Sequence, residues 1–457
     1  MPVSILQQLL MLPMYYQWKH FWLPCCWKNT RRYGAYGMRW NVCANSKMLK
    51  NNGWLLDVFE DTQAAGVALW ILTGDGQRLR LHQPFPIHFS LAGPHKDLRL
   101  AWRFLKEHTS QPKLSRKEGR DLFQPKLLDL LDVEMTTFSA QQRLFRELLE
   151  KFPDLLYYNA DVSLPLRHSA VYKTFPLCRC VFTHYESGLL QDFEVLDTPW
   201  ELDPQLPELS QMTLEPDSDP LHAAPQALLV GAGGVQYRLS LHTPRAFLIN
   251  LQAVLKRHDP DVLLTRWGDT WLLPYLFDLA DKQGVQLTLN REPGHGYLQR
   301  PERSYFSYGQ IMYSGQQIHL FGRWHIDRQN ALFWKDFGMD GILEMARVTS
   351  QPVQVAARTS PGTGISSMQV LTAMRNNILV PWHKQQGERP KTALELIQSD
   401  LGGLVYQPVV GLHRDVGAVD FISMYPAIMV RCNISPETAK PRLLEASDEK
   451  PGLIPKT

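Results

Sequence analysis

One carboxylate near the C-terminal end of the chain, Asp420, stands in a pattern suited to binding a metal ion beside phosphate groups. The apolar, β-prone run 416–419 leads into it, which predicts a buried strand that ends at Asp420. Ser423 can cap a helix, and Pro426 is tolerated in a first helical turn. Free backbone N–H groups at such a turn suit phosphate oxygens, and a carboxylate suits a hard cation such as Mg²⁺. The pattern therefore predicts the metal ion and the triphosphate site that nucleotidyl transfer requires.

The stretch 420–428 resembles the first palm motif of family B DNA polymerases, D-x-x-S-L-Y-P-S-I, with Met424 for Leu and Ala427 for Ser. The resemblance implies that Asp420 binds both catalytic Mg²⁺ ions and that the Phe421 carbonyl reaches one of them. It also implies a backbone cradle for the triphosphate, formed by Phe421, Ile422, Ser423, Met424 and Tyr425. Tyr425 is then the side chain that packs under the deoxyribose and excludes a 2′-hydroxyl.

By this resemblance the protein is a DNA-directed DNA polymerase that uses primer–template DNA and dNTPs. A primer 3′-hydroxyl attacks the α-phosphorus of a deoxynucleotide and releases pyrophosphate. Two alternatives remain: a non-catalytic DNA-binding subunit or polymerase relic, and a 3′–5′ exonuclease. The assignment depends on Asp420 standing at the end of a sheet strand, and a position away from any strand end would contradict it.

Family B polymerases usually carry a 3′–5′ exonuclease domain with an RNase-H-like sheet, whose first two motifs are D-x-E and N-x-x-x-F-D. Here Glu215 and Asp217 stand in swapped order around Pro216, and a proline cannot donate to a central sheet ladder, so this strand is suspect. Trp267 stands where the Asn of the second motif belongs, and Leu272 where its Asp belongs. Because leucine cannot ligate a cation, we expect an exonuclease-type fold without nuclease chemistry.

An active nuclease at this place would have to recruit four acids, Glu215, Asp217, Asp269 and Asp327. The third motif of the family, Y-x-x-x-D, has no counterpart between residues 322 and 381. The pair His325 and Asp327 is interpreted as a solvated strand end rather than as metal ligands. The degenerate motifs resemble those of a family B subgroup found in archaea and bacteria.

Two further stretches carry candidate DNA contacts. The Gly- and Ser-rich stretch 358–367 is typical of a loop, in which Arg358 and small hydroxyls can clamp a DNA phosphate; an ordinary connecting loop is the alternative. Gly402 and Gly403 match the glycines of a Y-x-G-G turn that touches the template strand in the family, with Asp400 in place of the Tyr. Glycines allow the close backbone approach that such a turn needs.

Other patterns predict regular elements. Residues 67–72 and 78–82, joined by Thr73-Gly74-Asp75-Gly76, predict a hairpin, and 88–92 a further strand. Ser139 is placed to open a helix over 140–151, with Gln142 in the capping-box position.

Composition sets loose limits. The net charge of +3 permits nucleic-acid binding but does not argue for it, and six cysteines form neither a disulfide framework nor a zinc-site spacing. A reducing, cytoplasmic location fits this cysteine usage, and the resemblance to DNA polymerases implies association with the nucleoid. The apolar run 5–13 is too short and polar to span a membrane. Residues 1–53 are interpreted as a poorly specified extension; a basic, aromatic arm that stacks on single-stranded DNA is the alternative.

The sequence as a whole predicts a multidomain α/β protein. We expect a β-rich N-terminal polymerase domain over 54–200, an exonuclease-like domain over 201–370 and the start of the palm over 371–457. The second palm motif of the family, Y-G-D-T-D, does not occur in the 457 residues. The resemblance therefore implies an N-terminal fragment that is inactive alone, either a truncated gene or one half of a split polymerase with a separate C-terminal half.

Overall fold

The computed structural model of the chain describes residues 47–121, 126–292, 296–307, 310–382, 392–399, 407 and 409–434. The chain divides into two compact units, one of residues 41–383 and the other of residues 1–40 together with 384–457. Each unit is described by itself. Within the described residues, no helix is both long enough and apolar enough to cross a lipid bilayer.

The first sheet of the larger unit contains the predicted hairpin, which is confirmed. Its strands are β1 Met48–Glu60, β2 Val67–Thr73, β3 Arg78–Gln83, β8 Arg179–Tyr185 and β9 Leu190–Val195, in the order β3-β2-β1-β8-β9. β1 begins six residues before the domain start predicted at residue 54, and Met48 pairs with Tyr185. The prediction of a poorly specified extension up to residue 53 is therefore wrong for residues 48–53, because β8 pairs with each of them.

The second sheet is built from a β-α-β-β-α-β run. The elements are β4 Ile87–Ala92, α1 His95–Glu107, β5 Lys113–Asp121, β6 Leu128–Met135, α2 Phe138–Lys151 and β7 Leu156–Tyr158. The strand order is β19-β5-β6-β4-β7, in which β19 is Ile378–Leu379 and pairs with the end of β5. Residues 378–379 thus complete a sheet of the N-terminal region, whereas the sequence placed them in the palm.

The residue that caps the start of α2 differs from the predicted one. Thr137, and not Ser139, is the N-cap residue, and its side chain accepts from the Ala140 N–H. The Ser139 amide and hydroxyl both donate to Glu60 instead, and Gln142 donates to the Ala160 carbonyl. Tertiary partners have therefore replaced the local capping box.

The third sheet has the topology expected of an RNase-H-like domain. Its strands are β10 Gln211–Pro216, β11 Ala227–Ala232, β12 Val235–Ser240, β13 Val262–Thr265 and β18 Trp324–Asp327, in the order β12-β11-β10-β13-β18. β11 is antiparallel to both of its neighbours, while β13 and β18 run parallel to β10. Contrary to the expectation from the sequence, Pro216 does not disrupt the central strand, because it is the last residue of β10.

Both faces of this sheet are buried by helices. α4 Pro244–His258 and α5 Leu273–Gln283 contribute Phe247, Leu251 and Leu276 to the core on one face. On the other face, α6 Trp334–Thr349 and α7 Val353–Ala356 contribute Ile342, Ala346 and Val353. Burial on both faces explains why β13 reads as a continuous apolar run.

Further elements among the described residues of this unit are short strands and two α-helices. The strands pair as β14 Leu298–Arg300 with β17 Gln317–His319 and as β15 Arg303–Ser307 with β16 Gln310–Ser314, and α3 is Leu164–Tyr172. α8 spans Pro361–Arg375, and its N-cap Ser360 accepts from the Thr363 N–H. The loop predicted over 358–367 is therefore wrong from Pro361 onwards, since a proline at the first helical position and a serine cap start a helix there.

The described part of the smaller unit contains α9 Ala393–Ser399 and α10 Met424–Arg431. The helix predicted after Ser423 is confirmed. The strand predicted over 416–419 is wrong: these residues form no strand, and Val419 is 97% exposed. A strand needs a hydrogen-bonding neighbour, and none of the described residues pairs with this run.

Candidate functional site

The carboxyl ends of three parallel strands meet at one edge of the third sheet, the place where open α/β sheets bind ligands. Leu214 of β10 pairs with Thr265 of β13, and Thr265 pairs with Asp327 of β18. The next residues along the three strands, Glu215, Arg266 and Arg328, therefore form one row across the sheet. We call these three residues the edge row.

A buried ionic network lies beside the edge row and is centred on Asp269. Asp269 belongs to a π-helix, Gly268–Leu272, and is fully buried. Arg358 binds it with two hydrogen bonds, Nε to Oδ2 at 2.8 Å and Nη2 to Oδ1 at 3.0 Å. The Ile318 N–H and the Asn330 amide each add a hydrogen bond of 2.7 Å. All of these donors hold the carboxylate in its ionised form.

The electrostatics of Asp269 follow from this set of donors. Burial would raise the pKa of Asp269, but the charges of Arg358 and His325 and the hydrogen bonds from Arg358 and Asn330 outweigh it, and the pKa lies below its usual value. A charge buried this deeply is tolerated because it is paired and fully hydrogen-bonded. Gly268 allows its backbone to lie close to Thr265, since a Cβ atom at this position would lie 1.9 Å from the Thr265 hydroxyl oxygen.

His325 and Asp327 are buried parts of the same network, so their interpretation as a solvated strand end is wrong. The two imidazole nitrogens of His325 bond the Ile318 carbonyl at 2.7 Å and the Thr265 hydroxyl at 2.8 Å. Burial lowers the pKa of His325 to about 4. Asp327 accepts from the Asp269 N–H at 3.0 Å, and burial raises its pKa.

The assignment of Arg358 as a DNA contact is wrong. Its side chain is only 1% exposed, and besides Asp269 it donates to the carbonyls of His325 and Gln354. The guanidinium group is therefore saturated by the protein interior. The Asp269–Arg358 pair was missed because the two residues are 89 positions apart and neither shows a distinctive local pattern.

Leu272 and Trp267, the two departures from the second nuclease motif, have different environments. Leu272 is 1% exposed and packs in the core against α4 and α5. Trp267 is partly exposed and has φ 55°, a left-handed conformation that bulky residues rarely adopt. The guanidinium of the neighbouring Arg266 lies 4.6 Å from its ring centre.

The acids of the first nuclease motif are paired with arginines. Glu215 forms an ion pair with Arg328, and its other oxygen lies 4.0 Å from Arg266. Asp217 binds Arg238 at 2.7 Å. Among the described residues, no group of three or more His, Cys, Asp or Glu side chains is arranged to hold a metal ion. The donor set at this edge therefore does not fit the two-metal site of a nuclease.

The segment 409–434 provides a different environment for a carboxylate. Asp420 is exposed, and among the described residues its Oδ1 accepts only from the N–H of the adjacent Phe421, at 2.8 Å. Phe421 and Tyr425 are also exposed, at 77% and 74%. Ser423 has φ 50° and its side chain makes no cap hydrogen bond, contrary to the predicted cap. The first turn of α10 is thus left without a side-chain cap.

The predicted template contacts, Gly402 and Gly403, lie outside the described residues. Residues 1–46, most of the predicted extension, lie outside them as well. The backbone of Ile422, Ser423 and Met424 is described and leads into α10, but no nucleotide contact can be read from it. Their triphosphate role stays a prediction.

The comparisons with known proteins point to one family. The model of DNA polymerase family B matches residues 359–452, which include Asp420 and α10. DNA polymerase 1 of Pyrococcus abyssi is 25% identical over 239 residues, which are 42% of this chain and 31% of that protein. A DNA polymerase of Pyrococcus horikoshii is 26% identical over 252 residues, 45% of this chain and 20% of the relative. This chain thus spans less than a third of these relatives.

The fold agrees with these sequence matches. The structure of the family B DNA polymerase from Pyrobaculum calidifontis superimposes with a TM-score of 0.59 and 20% identity, over 88% of this chain and 59% of that one. Asp420 does not lie at the end of a strand, which counts against the polymerase assignment. The sequence match over residues 359–452 supports that assignment independently of the strand. The chain is similar to the family B DNA polymerases in the sequence of residues 359–452 and in its fold.

Proposed function

We propose that this chain supplies the first palm motif of a DNA-directed DNA polymerase. The observation that carries the proposal is the family match over 359–452, within which Asp420, Ser423, Tyr425 and Pro426 stand in the order of the motif. The substrates are primer–template DNA and dNTPs. The relatives named above are DNA polymerases, which supports this substrate class.

The environment of Asp420 suits a metal-binding role. Its carboxylate is exposed and is not paired with a cation among the described residues, so its free oxygen can enter a coordination shell. Asp420 and the Phe421 carbonyl are the oxygen donors that would hold Mg²⁺ here. When bound, Mg²⁺ would supply charge stabilisation at the reacting phosphate and lower the pKa of the primer 3′-hydroxyl.

The start of α10 suits the triphosphate. The first N–H groups of a helix have no partner inside the helix, and the Ser423 side chain does not take one up. The N–H groups of Met424 and Tyr425 therefore point out of the helix start, where the helix dipole also favours negative charge. Tyr425 is exposed in the same turn and can contact the sugar.

One carboxylate and one carbonyl do not complete the oxygen shells of two Mg²⁺ ions. We propose that the further carboxylate comes from a segment bearing the second palm motif of the family, Y-G-D-T-D, which does not occur in the 457 residues and which we call the C-terminal half. These 457 residues tested alone are then expected to bind DNA without extending a primer.

The central experiment is primer extension by the chain joined or mixed with that C-terminal half. Asp420→Ala is expected to abolish extension, because the metal loses its only carboxylate from this segment. Asp415→Ala is the matched control, since Asp415 is an exposed carboxylate five residues away. Primer–template affinity, measured by fluorescence anisotropy, should stay within about twofold for both variants. Extension by Asp420→Ala at the wild-type rate would refute the assignment.

Tyr425 provides a second test, of sugar selection. Tyr425→Ala is expected to increase the incorporation of ribonucleotides relative to deoxynucleotides by tenfold or more, on the order of 1.4 kcal/mol of discrimination. Leu412→Ala is a control, because it removes an exposed apolar side chain from the same segment at a position with no assigned nucleotide or metal contact. An unchanged ratio of kcat/KM values for ribo- and deoxynucleotides would contradict the gate role.

A non-catalytic DNA-binding role is the second candidate. The pairing of Glu215 with Arg328 and of Asp269 with Arg358 favours it, because one domain of this chain already holds its acids in ion pairs. For the same reason we propose that the exonuclease-like domain does not hydrolyse DNA. Mg²⁺-dependent shortening of a 5′-labelled oligonucleotide, resolved on a denaturing gel, would overturn this part of the proposal.

A further inference from the structure

We propose that the exposed face of α1 binds the loop 196–208 of a second copy of this chain, so that copies associate head to tail. The interface lies outside the proposed function, since it uses no residue assigned to nucleotidyl transfer. Both surfaces belong to the larger unit, and each exposes a tryptophan, the first beside cations and the second beside carboxylates.

The helix α1 turns a cationic face away from the core. Ala101 and Leu105 are buried under the second sheet, and four exposed cations recur every three or four residues on another side of the helix. These cations are Lys96, Arg99, Arg103 and Lys106. The helix also holds two acids, Asp97 and Glu107, so four cations against two acids leave it a net charge of +2.

The charges that neighbour α1 do not cancel this excess. Glu147 of α2 bonds His108 at 2.9 Å, just after the end of α1. Lys151 of α2 lies over the Phe104 ring at 3.9 Å, so α2 brings one charge of each sign. The face therefore stays positive and suits an acidic partner.

Apolar side chains flank the cationic face. Leu100 is 46% exposed and Trp102 is 39% exposed, and their positions in the helix place them on either side of the four cations. The Lys106 ammonium lies 4.7 Å from the centre of the Trp102 ring. Phosphate groups alone would leave these apolar side chains in water, whereas the centre of a protein interface is enriched in tryptophan and arginine. The face therefore suits a protein surface that is both acidic and apolar.

The loop 196–208, which we call the acidic loop, has this composition. Residues 180–237 contain ten Asp and Glu and no Lys or Arg. Within the acidic loop, Glu201, Asp203 and Glu208 are exposed. Four apolar side chains of the loop are between 39% and 60% exposed, namely Leu196, Trp200, Leu202 and Leu206.

The arginines that touch the acidic loop do not neutralise it. Arg179 binds the Gln205 side chain, and the buried Arg347 lies 4.0 Å from Asp197 and donates to the Thr198 carbonyl. The loop contains four acids in all, so four acids against two arginines leave a net charge of −2. This charge is opposite to that of α1.

Hydrogen bonds fix the shape of the acidic loop. The Leu196 N–H donates to the Arg179 carbonyl at 2.8 Å, and the Arg179 side chain reaches Gln205. The Trp54 indole donates to the Gln205 carbonyl at 2.8 Å. The chain therefore returns at Gln205 to the strand that it left at Leu196. A loop that is ordered in advance loses little conformational entropy when it binds.

The charges select the arrangement of the copies. Two cationic faces repel each other, as do two acidic loops, so a symmetric pairing of either surface with itself is disfavoured. Pairing α1 of one copy with the acidic loop of the next joins opposite charges and covers Trp102 with apolar side chains. Such a contact leaves one free surface at each end, so the copies form a ring or a growing chain.

Sedimentation velocity of the full 457-residue chain, after nuclease treatment, measures the association. The protein is expected to sediment faster as its concentration rises. Raising the salt from about 50 to about 500 mM should weaken the association about tenfold or more, because salt screens the charges of exposed groups. A chain that stays monomeric at low salt would overturn the proposal. Association that nuclease treatment abolishes would also overturn it, because nucleic acid would then be the occupant of α1.

Two double variants each remove one of the two surfaces. Arg99→Ala/Arg103→Ala removes cations from α1, and Glu201→Gln/Glu208→Gln removes carboxylates from the acidic loop. Each is expected to raise the dissociation constant about tenfold or more while the circular dichroism spectrum stays native. An unchanged dissociation constant in either variant would overturn the assignment of that surface.

Matched controls remove exposed charges elsewhere. Arg257→Ala changes α4 and Glu150→Gln changes α2, at positions outside both surfaces. Each should alter the dissociation constant less than about twofold. Effects as large as those of the double variants would show that net charge, and not these two surfaces, governs the association.

Mixing the two double variants is the decisive measurement, because each keeps the surface that the other has lost. The acidic loop of the α1 variant can bind α1 of the loop variant, and the expected product is a 1:1 complex that grows no further. Its dissociation constant should lie within about threefold of the wild-type value. Misfolding of either variant predicts no such recovery. Absence of the complex, with native circular dichroism spectra for both variants, would overturn the proposal. These measurements contain no DNA, metal ion or nucleotide, so this proposal and the polymerase proposal fail independently.

Discussion

Asp269 and Asp420 show two opposite uses of an aspartate in one chain. Asp269 is completely buried, and Arg358, Asn330 and the Ile318 N–H occupy both of its oxygens. Asp420 is exposed, and its only hydrogen-bond partner among the described residues is the N–H of its own neighbour. The first carboxylate is an internal counter-ion, whereas the second is the one for which we propose a metal-binding role.

An acid at a sheet edge does not by itself indicate nuclease chemistry. An arginine inside the domain supplies the positive charge that a cation would otherwise supply, and it does so with fixed hydrogen bonds. Removing one partner of a buried pair is costly, because the other charge remains without compensation. The two regions should therefore respond very differently to the same substitution.

The largest expected effect is that of Asp269→Ala. This change leaves Arg358 buried without its partner and should lower the free energy of unfolding of the domain by about 3–5 kcal/mol. Urea denaturation and hydrogen exchange of the β13 and β18 amides measure the loss. Asp420→Ala is the control and should change stability by less than about 0.5 kcal/mol.

Replacing both partners sharpens this prediction. Asp269→Leu combined with Arg358→Met removes both charges and should be more stable than either single variant, because no unpaired charge is left. Equal unfolding midpoints for Asp269→Ala and Asp420→Ala would show that the buried pair contributes little. The domain would then be held by its two apolar cores.

The next effect concerns acid pH and His325. Burial lowers its pKa to about 4, below the value near 6.5 of an unfolded histidine, so the unfolded state binds more protons between these values. The stability that neutral His325 provides is complete above pH 6.5 and is lost as the pH falls towards 4, by about 1.4 kcal/mol per pH unit. His325→Gln should be less stable at pH 7 but show a shallower pH dependence in this window.

An exposed histidine in the other region is the control for this experiment. His413 lies in the segment 409–434 and bonds only the Val409 carbonyl among the described residues. The slope of the unfolding midpoint against pH in His325→Gln is compared with the slope in His413→Gln. An unaltered slope in His325→Gln would mean that His325 is not the group that titrates. The buried His168, whose pKa burial lowers to about 3, would then be the next histidine to replace.

The sequence predicted those features that depend on local pattern. The hairpin around Gly74 and the helix after Ser423 follow from turn residues and apolar spacing and are confirmed. The strand predicted over 416–419 does not form, because a β-prone run becomes a strand only where another strand lies beside it. The wrong role for Arg358 has a related cause, since its partner Asp269 is distant in sequence and was considered only among the four acids that an active nuclease would have to recruit.

The motif at Asp420 was found because its residue types are fixed by chemistry rather than by packing. The edge row was not predicted, although the sequence holds a signal for it. An arginine directly follows Thr265, the last residue of β13, and another directly follows Asp327, the last residue of β18. Arginines at corresponding ends of parallel strands come together once the register is known. The register itself depends on pairing across the sheet, which the sequence alone does not specify.

The smallest expected effect compares the caps of two helices. The Thr137 side chain accepts from the Ala140 N–H at 3.3 Å at the start of α2, whereas Ser423 makes no such bond at the start of α10. Thr137→Ala should cost about 1 kcal/mol of stability, and Ser423→Ala should cost less than about 0.5 kcal/mol. Thermal unfolding followed by circular dichroism gives both values. A cost for Ser423→Ala equal to that for Thr137→Ala would mean that Ser423 caps α10 in solution. The helix start would then have fewer free N–H groups for a triphosphate, and the role proposed for Met424 and Tyr425 would weaken accordingly.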